Sequence, residues 1–85
     1  MEIKIEVPKY DPHTGIKYNW INGFEIEVKN QTGTVVLLAN KEGLLSLANH
    51  LLNLAQDEIP SGYHLHLDEN NSLAEKSLEL IIQKK

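Results

Sequence analysis

The chain has 85 residues, with 8 Lys plus Arg against 12 Asp plus Glu and no cysteine. That length fits a single domain, residues 1–85, burying about 60–65% of its unfolded surface, and the missing thiols exclude disulfides, thiolate metal sites and a cysteine nucleophile. All eight basic residues are lysines, scattered apart from Lys84-Lys85, so a net charge of −4 argues against nucleic-acid readout and toward a basic partner.

Glu2 to Val7 alternates strictly, with Ile3, Ile5 and Val7 on one side and Glu2, Lys4 and Glu6 on the other. The pattern predicts a half-buried strand ended by Pro8. The opening residues supply neither the basic start nor the apolar run of a signal peptide, and no run approaches the roughly 18 apolar residues of a membrane span. The expected location is the cytoplasm, with no membrane association. Tyr10 to Gly15 has turn chemistry, and Ile16 to Ile21 reads as a second strand.

Asn22-Gly23 predicts a type I′ hairpin turn, leading into the alternating run Phe24 to Lys29. After a tight connection at Asn30 to Gly33, Thr34 to Ala39 is apolar on both faces, as a central strand would be. Asn40 is an N-cap candidate with Glu42 in the first turn. Lys41 to Gln56 then predicts an amphipathic helix, with a leucine and alanine face opposite Ser46, Asn49, His50, Asn53 and Gln56. Gly43 near its start costs about 1 kcal/mol relative to alanine.

Tyr63, Leu65 and Leu67 alternate with His64, His66 and Asp68 in a fifth expected strand, and Leu78 to Gln83 makes a sixth. Ser72 to Glu75 has capping-box spacing, which allows one helical turn between them. The elements run β-β-β-β-α-β-β. They predict a two-layer α+β fold, with a mostly antiparallel sheet of five or six strands and one helix on one face. The other sheet face is left open for a partner.

Chemistry is sparse. His64, His66 and Asp68 lie at i, i+2 and i+4, so a strand points them one way, and imidazole with carboxylate suits zinc. The simpler reading is that one strand face is wet, and no metal or other cofactor is assigned. No serine sits in a Gly-x-Ser-x-Gly setting, and the glycines form no phosphate loop. A binding protein is expected, not an enzyme.

The hairpin carries more. An Asn22-Gly23 loop would pair Trp20 with Glu25 and Tyr18 with Glu27, placing all four on the open face. Aromatics beside carboxylates match the anchor-and-rim composition of protein interfaces. The alternative is that Trp20 is core.

Asn40-Lys41-Glu42-Gly43-Leu44-Leu45-Ser46-Leu47-Ala48-Asn49, then His64-Leu65-His66-Leu67-Asp68-Glu69-Asn70-Asn71-Ser72-Leu73 and Leu78-Glu79-Leu80-Ile81-Ile82, resembles the immunity protein 32 family of bacterial polymorphic-toxin systems. The resemblance covers roughly residues 35–85. It implies a small α+β protein that binds a cognate toxin domain and blocks it stoichiometrically, with no catalytic residue. The expected contacts are Tyr18, Trp20, Glu25 and Glu27, extended by His64, His66, Asp68 and Glu69. Two other readings stand beside this one: a homodimer or larger homo-oligomer joined through open sheet faces, and a metal-binding protein using His64, His66 and Asp68.

Overall fold

The computed structural model describes residues 1–85. Its elements are β1 (Ile26–Gln31), β2 (Thr34–Ala39), α1 (Lys41–Leu54), β3 (His64–Leu67) and β4 (Leu80–Gln83). The class is α+β, as the sequence predicts. The expected sheet of five or six strands is not found: four strands form two separate antiparallel pairs, β1-β2 and β3-β4.

The β1-β2 hairpin turns at Thr32-Gly33, where both residues have positive φ, 52° and 83°. Two left-handed residues are what a type I′ loop requires, and glycine meets the second without strain. Asn22-Gly23 also forms a turn, closed by Phe24 N–H donating to Ile21 C=O at 3.1 Å. Only Gly23 has positive φ there, as in a type II turn, so the expected type I′ geometry is corrected.

That turn does not start a ladder, because both edges of β1 are already engaged. One edge pairs with β2, from Ile26 opposite Ala39 to Gln31 opposite Thr34. Along the other run residues 74–78: Ala74 N–H donates to Ile26 C=O (2.8 Å) and Leu78 N–H to Val28 C=O (2.7 Å). Val28 N–H in turn donates to Ser77 Oγ at 3.2 Å. The expected strand at 16–21 therefore finds no partner, and the one expected at 2–7 is not formed either. Alternation provides a strand with a face, but only a neighbour's backbone provides its hydrogen bonds.

The first 25 residues, which turn at residues 11–15 and at Asn22-Gly23, instead lie as an arm along polar side chains of α1 and of Gln56 just beyond it. Ile21 N–H donates to Ser46 Oγ (2.9 Å), Tyr10 N–H to Gln56 Oε1 (2.9 Å), and Asn49 Nδ2 to Glu6 C=O (3.2 Å). This rotates the helix from its expected orientation, keeping Leu47 and Leu54 of the leucine face buried. Ser46, His50 and Asn53 are buried, while Leu44, Leu51 and Leu52 are exposed. The face that looks wet in sequence is dry because an arm without a ladder needs side-chain donors and acceptors.

Asn40 fixes the helix start. Its Oδ1 accepts from Gly43 N–H (2.8 Å) as the N-cap and from Glu25 N–H (2.9 Å), and its Nδ2 donates to Gly23 C=O (2.9 Å). Gly43 is required here by close approach: a Cβ would lie 2.6 Å from Glu25 C=O.

The core gathers Ile26 and Val28 of β1, Leu47 of α1, Leu65 and Leu67 of β3, and Leu73, with Tyr18, Trp20 and Phe24 packed against it. β2 is not a central strand; Val35, Leu37 and Leu38 are exposed along a free edge. Residues 68–73 form turns on Asp68 C=O instead of the expected helical turn. No helix is long and apolar enough to cross a membrane.

Candidate functional site

Seven of the eight expected contact residues line two clefts that share Asn71 as a wall. The larger, about 460 Å³, holds Glu25, Glu27 and Glu69 over an apolar floor that includes Phe24, Leu38 and Leu73, and no basic side chain lines it. Glu25 immediately precedes β1 and Glu27 lies near its start, while Glu69 follows β3 in the turn and accepts from Lys76 N–H at 2.9 Å. Three carboxylates facing one concavity, without a lysine among them, create a site of negative potential.

The second cleft, about 280 Å³, is lined by Tyr18, Trp20, His64 and His66. The arm does not present its aromatics as a free sheet face. Trp20 stacks on Phe24, with centroids 4.5 Å apart and planes at 26°, and meets the His50 ring edge-on at 4.3 Å. Tyr18 meets the other side of His50 at 4.9 Å. The expected pairings of Trp20 with Glu25 and Tyr18 with Glu27 are absent, and both aromatics are half-buried, part core and part cleft wall.

His50 is fully buried beneath this pair, and neither ring nitrogen has a hydrogen-bond partner. Burial lowers its pKa to about 4, since the charged imidazolium would lose water and gain nothing. Burial also raises the pKa of the Tyr18 hydroxyl, with a further contribution from Tyr63. Both groups are therefore uncharged near neutral pH.

On the outer face of β3, His64 and His66 do not converge. His64 Nδ1 lies 3.4 Å from Gly62 C=O, whereas His66 Nε2 contacts the Glu79 carboxylate and stands 3.8 Å from Asp68 Oδ2. The trio considered from sequence is thereby replaced by His66, Asp68 and Glu79.

With this geometry in place, comparison with protein families matches residues 34–85 to the model described as Immunity protein 32. The chain belongs to the Immunity protein 32 family. Comparison with curated proteins and with solved structures finds no match. In this Immunity protein 32 chain the match runs from β2 to the last residue, taking in His64, His66, Asp68 and Glu69. Tyr18, Trp20, Glu25 and Glu27 precede it.

Two site residues escape the sequence reading. Asn71, which joins the clefts, binds backbone on both sides: its Nδ2 donates to His66 C=O (3.0 Å) and its Oδ1 accepts from Asp68 N–H (3.0 Å). Glu79 was legible in principle. Pairing Leu65 with Ile82 sets an antiparallel register that carries Asp68 opposite Glu79.

Proposed function

We propose that the chain is an immunity protein that binds a cognate bacterial toxin domain and neutralises it by protein–protein contact. The observation that carries this reading, beside the family match, is the cleft holding Glu25, Glu27 and Glu69 with no basic counterpart. A lysine or arginine of the toxin would lay its aliphatic stem on Phe24 and Leu38 and its charged head among the carboxylates. The neighbouring Tyr18 and Trp20 wall provides the aromatic contact on which interface energy tends to concentrate. The partner in this reading has a basic surface, and the action is stoichiometric occlusion in the cytoplasm, without catalysis.

The test is co-expression with the product of the neighbouring gene. Growth rescue and a co-purifying complex are expected. Reversing Glu25, Glu27 and Glu69 to lysine should slow association and flatten its dependence on salt, since steering charges act mainly on the on-rate. Rescue undiminished by the triple reversal would remove the acidic cleft from the mechanism.

A homodimer has one observation in its favour, the free edge of β2 with exposed Val35, Leu37 and Leu38. Under that reading a second copy pairs along this edge, and Val35→Lys converts a dimer on sizing chromatography to a monomer.

A further inference from the structure

We infer that His66, Asp68 and Glu79 form a binding site for a divalent transition-metal cation of the zinc type. The site follows from strand geometry. His66 and Asp68 are two apart on one chain and therefore point the same way. The β3-β4 register pairs His66 with Ile81 and Leu67 with Leu80. Continued by one residue it sets Glu79 across from Asp68, so all three side chains stand on one face. One donor atom from each residue lies within 4.8 Å of the others. Ligand atoms around zinc sit at roughly 2.0–2.2 Å from the ion, a spacing these surface side chains reach by small rotations.

Two further observations separate this cluster from ordinary surface charge. Like charges directly across a ladder repel, yet the fold places Asp68 and Glu79 opposite each other with a single imidazole between them. A dication would turn that repulsion into attraction. Asp68 is also held in the orientation a ligand needs. Its Oδ1 accepts from Asn70 N–H (2.9 Å) and Asn71 N–H (3.1 Å), leaving Oδ2 to face His66. Asn71 binds the backbone at both His66 and Asp68, which fixes the loop beneath them. Outer hydrogen bonds of this kind orient metal ligands. One imidazole and two carboxylates suit a first-row ion better than magnesium, and three protein ligands leave a coordination position for water. The bound ion would tie β3 to β4 and stand beside the aromatic cleft, whose wall includes His66.

The experiment titrates the metal-free chain with zinc chloride by calorimetry and follows the melting temperature, with magnesium as comparison. One equivalent of zinc binding and a raised Tm are expected, with no response to magnesium. His66→Gln, Asp68→Asn and Glu79→Gln should each weaken zinc binding at least about tenfold, while His64→Ala leaves it unchanged. All four side chains are at least partly exposed, and circular dichroism confirms that each variant folds. No binding at millimolar zinc would overturn the inference. So would Glu79→Gln binding as the parent does, or His64→Ala abolishing the response. None of these readouts involves the toxin, so the site stands or falls independently of the proposed neutralisation.

Discussion

Acid should unfold this protein through His50. The imidazole is fully buried between Tyr18 and Trp20, with both nitrogens unpartnered, and stays neutral in the folded chain down to about pH 4. In the unfolded chain it takes up a proton near pH 6.5. Between these values the unfolded state binds the additional proton. Stability is therefore fully present above pH 6.5, falls as pH drops through this window, and loses no more on this account below about pH 4. Moving a pKa that far corresponds to about 3 kcal/mol. Against the roughly 4–13 kcal/mol available to a chain of this length, the loss is large. Urea titrations at successive pH values would measure it, with Trp20, the only tryptophan and in edge contact with His50, as the fluorescent reporter. His50→Leu should remove most of the slope between pH 6.5 and 4. Parallel stability curves for the parent and His50→Leu would refute the reasoning.

Gly43→Ala should destabilise by about 1–3 kcal/mol, although alanine favours a helix by about 1 kcal/mol, because the new Cβ meets Glu25 C=O at 2.6 Å; thermal melts check the sign. Ser46→Ala leaves Ile21 N–H without its acceptor and should cost about 1–3 kcal/mol, with faster amide exchange at Ile21. Asn40→Ala removes the cap and both side-chain bonds to residues 23 and 25, for a loss of about 2 kcal/mol in urea, most of the cap itself being retained in Asn40→Ser.

Local signals in the sequence proved reliable wherever one residue type satisfied one backbone group. The Asn40 cap, the tight turn ending at Gly33, the helix span and the alternation of β3 are of that kind. Pairing was harder to see. Glu2 to Val7 and Phe24 to Lys29 look alike as alternating runs, yet only the second becomes a strand, because its edges meet β2 and residues 74–78. The helix misled for a related reason. Ser46, Asn49 and Gln56 look like a solvated face until the arm that hydrogen-bonds them is in place. The layout of the candidate site was not legible: Glu25, Glu27 and Glu69 line one cleft, while Trp20 is drawn partly inward by Phe24 and His50.

The arm's mode of attachment has a further implication. What α1 and Gln56 beyond it grip is main chain, the N–H of Tyr10 and Ile21 and the C=O of Glu6. Almost any amino acid other than proline supplies an N–H, so the grip places little demand on which side chains the arm carries. A segment fastened in this manner can change its outward chemistry, Tyr10, Tyr18, Trp20 and Phe24 aside, without loosening its hold on the helix.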